Sequence, residues 1–180
     1  LDRALSPAGL AVLAERVVLA PLAHGEIAES PTGGAYLGIL SGCLAAVRRD
    51  DERCIASLGA GAVLSGFESL RHEVRLQADG GVEIAAIYAA GVDRLLTIVP
   101  YGFAPFAALV ARTERALQLA IHLSQLFPGL DRDGLDAFGA AMDWVALRGG
   151  EVLFHEGEPG DSAYLVISGR LRAVTSAGHV

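Results

Sequence analysis

The residues that could do chemistry in this chain are serines, histidines, cysteines and carboxylates, because none of its fourteen basic residues is a lysine. Lysine nucleophiles and phosphate-loop lysines are therefore excluded. A nucleophilic serine on a strained turn needs a glycine two residues before it, and Ser41 and Ser65 both lack one. The histidines have no metal-ligand spacing to each other or to the cysteines. They are His24, His72, His122, His155 and His179. We expect no enzyme activity, no metal and no cofactor.

The composition is that of a globular chain with an acidic surface. Its 180 residues, 52% of them hydrophobic, suit one domain or a domain and a half. A net charge of −7 disfavours a nucleic-acid partner, and the basic pair Arg48-Arg49 runs directly into Asp50-Asp51-Glu52. No apolar run reaches the roughly 18 residues of a membrane span. With only two cysteines, and no methionine or export signal at Leu1, we expect no disulfide, a cytoplasmic location and a piece of a longer protein.

Two parts of the chain repeat each other at nearly constant separation. Gly25-Glu26-Ile27 is echoed by Gly150-Glu151-Val152, and residues 35–47 are echoed by residues 163–174. Internal repeats of this kind indicate a duplicated structural unit. We therefore predict a complete first domain over residues 1–127 and the first half of a second over residues 128–180.

The elements that must position any site are short strands, since brief apolar stretches alternate with turn-forming breaks from Arg16 to Val99. These stretches are residues 17–22, 36–40, 44–48, 54–58, 74–77, 82–89 and 94–99. We interpret residues 73–84 as a hairpin turning at 78–81. A second strand series is expected from Trp144.

Helices are predicted on either side of the first strand series. One begins at Ser6, and three follow Pro100, over residues 103–111, from Thr113 to about residue 127, and over residues 130–142. The helix from Thr113 has one apolar side, which we expect to pack on the chain's own barrel; a dimer contact is the alternative. This side carries Ala116, Leu119, Ala120, Leu123, Leu126 and Phe127, opposite Arg115, Gln118, His122 and Gln125.

Residues 150–171 resemble the opening half of a cyclic-nucleotide-binding domain. The resemblance lies in the Gly-Glu start, the Glu-Gly-x-x-Gly-Asp turn and the Tyr-Leu-Val-Ile-Ser-Gly strand, in the family's order. The first copy is similar to the same family more weakly, through Gly25-Glu26, Ser41-Gly42 and residues 58–63, 85–89 and 95–98. The resemblance implies a mainly β fold with flanking helices, an antiparallel β-roll or jelly-roll barrel, followed by the first half of a second one.

The resemblance also implies a ligand site, from which the first copy departs. Such a domain holds the ribose with a Gly-Glu carboxylate and the cyclic phosphate with an arginine and a helix N-terminus. Here Ser65-Gly66 or Gly66-Phe67 stands at the first place and Glu83 at the second, so a phosphate would meet negative charge. Glu68 and Arg75 could rebuild the contacts by another route. The candidate ligand-binding residues are Gly66, Glu68, Arg75 and Ala85.

The function implied is a regulatory module whose first domain does not bind cyclic nucleotide. The alternatives are a sensor for cyclic AMP, cyclic GMP or another small molecule, and a dimerisation module that uses the helix from Thr113. In proteins of this kind the effector is a patatin-like phospholipase, as in the neuropathy-target-esterase group, or a transporter. We expect such an effector outside this chain, and a cyclic nucleotide as the ligand of the second domain.

Overall fold

The computed structural model describes residues 17–29, 35–65, 70, 72–88 and 103–174. Its elements follow the chain as seven strands and two helices within those ranges. They are β1 (Val17–Leu22), β2 (Ala35–Ser41), β3 (Cys43–Arg48), β4 (Cys54–Gly59), β5 (Val63–Ser65), β6 (Val74–Ala78), β7 (Val82–Tyr88), α1 (Phe103–Leu126) and α2 (Arg132–Ala140).

The strands form two antiparallel sheets. The first has the order β1-β7-β2-β5 and the second the order β4-β3-β6, with an additional bridge between Ile27 and Gln77. Because neighbours in each sheet come from distant parts of the chain, the strands roll around a shared interior. The predicted class, mainly β with flanking helices in a β-roll, is confirmed.

Local pattern predicted the strand bounds to within one or two residues, with one omission. The three-residue strand β5 is not among the predicted stretches, and it pairs with β2 through Tyr36, Leu37 and Gly38. A strand this short carries too few residues to show alternation. The predicted helix at Ser6 and strand over residues 94–99 lie outside the described residues.

The segment predicted as a hairpin is instead a corner between the two sheets. β6 pairs with β3, whereas β7 pairs with β1 and β2. The β2–β3 connection at Gly42 also passes from one sheet to the other, directly beside this corner. There Asp79 N donates to Cys43 O at 2.9 Å. A β-carbon on Gly42, whose φ is +80°, would lie 2.3 Å from Gly81 O. The two corners nest so closely that only glycine fits at this point.

One apolar cluster joins both sheets to both helices. Leu44 and Leu76 from the second sheet, Ile39 from the first, and Leu117 from α1 are all buried in it. Leu135 of α2 belongs to the same cluster. The expectation that the helix from Thr113 packs on its own barrel is therefore confirmed, and the helix closes the roll.

The helical segments differ from the prediction in two ways. Residues 103–126 form one continuous helix, in which Thr113 is a buried interior residue and not an N-cap. Its hydroxyl donates to Leu109 O at 3.2 Å and accepts from Val63 N at 3.4 Å, so it links the helix to β5. The buried face is also centred differently, on Leu117 and Ile121, while Ala116, Leu126 and Phe127 are exposed.

The second helix begins as its sequence predicts. Asp131 is the N-cap of α2, and its carboxylate accepts a hydrogen bond from Gly134 N at 2.9 Å. Among the residues that the structure describes, neither helix is long and apolar enough to cross a membrane.

Residues 142–174 contain no strand or helix in the structure, although strands are predicted from Trp144 onward. Leu165 and Ile167 nevertheless pack against the core cluster, while Tyr164 and Val166, which alternate with them, are exposed. The side chains thus alternate as in a strand, but the backbone has no paired neighbour among the described residues.

Gly42→Ala should destabilise the chain more than Gly61→Ala. Both glycines have positive φ, at +80° and +88°, which costs an alanine about 1–2 kcal/mol. A β-carbon at Gly61 would meet nothing within 4 Å, whereas the one at Gly42 would collide with backbone, adding about 1–3 kcal/mol. Urea unfolding of both variants measures the difference, and equal losses of stability would contradict the nested corner.

Leu123→Ala should cost about 2–5 kcal/mol of unfolding free energy, and Leu126→Ala less than about 0.5 kcal/mol. Both leucines lie in the last turn of α1, but Leu123 is 1% exposed and Leu126 is 57% exposed. Thermal or urea unfolding checks this. If instead Leu126→Ala proved the more damaging, the helix face would have been wrongly assigned.

Candidate functional site

The predicted ligand-binding residues do not come together on one element. Gly66 and Glu68 lie outside the described residues. Arg75 lies on β6 in the second sheet and Ala85 on β7 in the first. Ala85 is buried and paired opposite Gly38 and Leu19 in the sheet, so its side chain contributes apolar packing.

Arg75 is paired with a carboxylate. Its Nη1 donates to Glu52 Oε1 at 2.7 Å, and its Nη2 also bonds Glu52 Oε2, so the contact is bidentate. These hydrogen bonds hold the pKa of the Glu52 carboxyl below its ordinary value and raise the pKa of the Arg75 guanidinium. An anionic ligand at Arg75 would have to displace Glu52.

Glu83 does not face the interior of the roll. It is exposed on β7 between the buried residues Val82 and Ile84. The sequence argument placed Glu83 against a phosphate, and in the structure its carboxylate is open to solvent.

The repeated Gly-Glu pairs are built as self-contained turns. The Glu26 carboxylate accepts from Ala23 N at 2.7 Å, and the Glu151 carboxylate accepts from Arg148 N at the same distance. A third such turn occurs where Glu158 accepts from His155 N at 2.9 Å. In each one the preceding glycine has a φ of +87° or +88°. These carboxylates therefore stabilise turns, and the two repeated Gly-Glu pairs have the same turn conformation.

The strongest polar cluster is one that sequence reasoning missed. Ser124 lies in the last turn of α1, and the residue four positions later is Pro128, which has no N–H to donate to the Ser124 carbonyl. Arg48 Nη1 donates to that carbonyl at 3.1 Å and Arg53 Nη2 at 2.8 Å. Two guanidinium groups from the β3–β4 hairpin thus satisfy the negative end of the helix.

Part of this cluster could have been predicted from the sequence. A proline four residues after a helical residue leaves that residue's carbonyl without its helical donor, which is visible in the printed sequence. That the donors are Arg48 and Arg53, more than seventy positions away, is visible only in the fold. The sequence argument treated Arg48-Arg49 only as a poor nucleic-acid patch.

A cleft of about 370 Å³ opens beside this cluster, between the β3–β4 turn, the residues before β6, and α1. Gln125 Nε2 crosses it to donate to Glu73 Oε2 at 3.1 Å. Because positive and negative side chains share its walls, the cleft has no net preference for an anion. It is lined by Arg48, Arg49, Asp50, His72, Glu73, Ile121 and Gln125.

The cysteines are structural. Cys43 and Cys54 are both free, and they lie at opposite ends of the β3–β4 pair, opposite Gly59 and Val47 respectively. Burial raises the pKa of the Cys54 thiol, which keeps it in the unreactive neutral form. Within the described ranges, no three histidine, cysteine or acidic residues are arranged to hold a metal ion.

Two fungal relatives show the sequence similarity of the chain. It is 39% identical over 100 residues to the lysophospholipase nte1 of Aspergillus terreus, which covers 53% of this chain and 6% of the relative. It is 33% identical over 131 residues to the lysophospholipase nte1 of Neosartorya fischeri, covering 66% of this chain and 8% of the relative. The chain thus spans less than a tenth of the length of either relative. No protein-family model matches it.

Solved structures show the fold. The CO-dependent transcription factor CooA from Carboxydothermus hydrogenoformans has a TM-score of 0.51 at 16% identity, covering 71% of this chain and 58% of that one. A regulatory subunit of a cAMP-independent protein kinase A from Trypanosoma brucei, bound to cAMP in its A site, has a TM-score of 0.42 at 21% identity, covering 54% and 39%. The β-roll therefore shares the fold of CooA, and the sequence relatives of the chain are fungal proteins named lysophospholipase nte1.

Proposed function

We propose that this chain is a regulatory module of a larger protein and that its first β-roll does not bind cyclic nucleotide. The fold supports a regulatory role, and the relatives are far longer than the chain. The observation that carries the proposal is that the arginines on the strands are already paired. In the described strands these are Arg48 and Arg75, and each is already held by a carboxylate.

The energetic argument concerns the phosphate of the ligand. A cyclic phosphate brought out of water needs a positive partner, because burying an unpaired charge is costly. Arg75 is engaged by Glu52, while Arg48 is shared between Asp50 and the end of α1. To bind phosphate, either arginine would first have to give up a contact that it already makes.

The second copy completes the proposed organisation, with residues 1–127 as one domain and 128–180 as the first half of another. The matched Gly-Glu turns support it, and so does the alternation of exposed and packed side chains from Tyr164 to Ile167. In the first copy the equivalent strand, β2, pairs with β5 and β7. By analogy, the partners of residues 163–169 lie further along the parent protein.

The same proposal covers partners and location. The cyclic nucleotide, if the parent binds one, occupies the second domain, and the effector is a lipid-hydrolysing domain of the kind that the relatives are named for. Free thiols at Cys43 and Cys54 are typical of the reducing cytoplasm.

The alternative role as a homodimer loses its predicted surface, because Leu119 and Leu123 are buried in the chain's own core.

Titration calorimetry tests the first proposal. The chain should give no binding heat with cyclic AMP or cyclic GMP at micromolar or submillimolar concentration, because the strand arginines are already paired. Micromolar binding would contradict the proposal. If that binding were lost in Arg75→Ala and Glu68→Ala but kept in Arg132→Ala, the sensor alternative with Gly66, Glu68, Arg75 and Ala85 as contacts would be correct.

Hydrogen exchange tests the domain organisation. In the 180-residue chain, backbone amides of residues 163–169 should exchange rapidly, because the described residues offer them no strand partner. When the residues that come next in the parent protein are added, the same amides should become protected by at least about a hundredfold, while those of β2 stay unchanged. Unaltered exchange at 163–169 in the longer chain would refute the second domain.

A further inference from the structure

We infer that Arg48 and Arg53 form a clasp that fixes the direction in which the chain leaves the β-roll. The clasp joins the β3–β4 hairpin to the end of α1 and to the connection that leads into α2. It rests on the proposed regulatory function, since it names the contact through which the roll controls the segment after α1.

Arg53 makes the central contacts of the clasp. Its Nη2 donates to Ser124 O at 2.8 Å, and its Nη1 donates to Leu130 O at 3.0 Å and to Pro128 O. One planar guanidinium therefore holds the last turn of the helix and both ends of the loop behind it. Its buried Nε has no hydrogen-bond partner, and the nearest carboxylate oxygen, on Asp51, is 3.6 Å away. The hydrogen bonds of this guanidinium go to the three carbonyls, and its ion pair goes to Asp51.

Arg48, the last residue of β3, also binds the end of α1. Its Nη1 donates to both Ser124 O and Ser124 Oγ, at 3.1 and 3.2 Å. Its Nε and Nη2 bind the Asp50 carboxylate, which leaves Nη1 pointing at the helix. Asp50 is therefore a positioning residue for Arg48.

The carbonyls need these donors. Ser124 is fully buried, and Pro128 cannot supply the N–H that would normally close the last helical turn. A buried carbonyl without a hydrogen-bond donor is costly. The end of α1 is therefore more stable when it contacts the β3–β4 hairpin than when that contact is broken. The exit direction of the chain is consequently coupled to the conformation of residues 48–53.

Contacts other than the clasp also hold α2, and one of them is the Phe138 ring, whose centroid lies 5.1 Å from that of Phe127. Arg132 Nη1 donates to Ser57 Oγ at 3.1 Å from an exposed position, and Leu135 is the buried residue of the helix. Opening the clasp would therefore loosen the connection between α1 and α2 while the two sheets stay paired and Leu135 stays in the core. Such a local opening is the kind of change that a regulatory domain can pass to a neighbour.

Hydrogen exchange of the full 180-residue chain tests the clasp without any ligand. Arg53→Ala should raise exchange across residues 127–141 by at least about tenfold, because charge-assisted hydrogen bonds to three carbonyls are lost. Exchange in β3 and β4 should stay within about twofold of the parent. The matched control is Arg75→Ala, which removes a bidentate ion pair from the same hairpin but touches no helix carbonyl.

The results separate clearly. A local increase at 127–141 in Arg53→Ala, absent in Arg75→Ala, supports the clasp. Equal effects of the two variants, or a uniform increase over the sheets, overturn it. If Arg53→Ala does not fold, Arg53→Lys keeps the charge without the fork and is judged by the same criteria. Binding of cyclic nucleotide by the chain would contradict the proposed function but would not change the outcome of the hydrogen-exchange test of the clasp.

Discussion

The contact between the second sheet and α1 depends on hydrogen bonds to one buried carbonyl, that of Ser124. The helix that closes the roll ends shortly before a proline, so the oxygen of Ser124 cannot be satisfied within the helix. The hairpin between β3 and β4 supplies both donors, Arg48 and Arg53. This requirement binds the second sheet to the helix, and the helix in turn contributes Leu117 and Leu123 to the core.

The strands could be predicted because their signal is local. Alternating burial in β6 and the glycine-rich breaks on either side are visible in a window of about ten residues. Which sheet a strand joins is not local, and the interpretation of residues 73–84 as a hairpin was wrong for that reason. The corner at Gly81 depends on Gly42, which lies far away in sequence. Likewise, Thr113 is typical of an N-cap but is an interior helical residue here, because β5 packs against it.

The site residues were harder to predict, because charge alone does not tell where a side chain points. Glu83 matched a ligand position by counting, yet the strand directs it to solvent. Arg75 was singled out as a candidate ligand contact, and the sequence did not indicate its partner Glu52, which comes from a turn in another part of the chain. The Gly-Glu pairs were recognised as a repeat, and only the coordinates show that their carboxylates bind a backbone amide three residues earlier.

Each of those Gly-Glu turns has two hydrogen bonds that lie within its own four residues. Each carries one backbone hydrogen bond from the glutamate amide to the carbonyl three residues earlier, and one from that residue's amide to the glutamate side chain. Loops this short close in well under a microsecond, long before distant strands can meet. During synthesis, the bend at Gly25-Glu26 can therefore form before the strands on either side of it have met their partners.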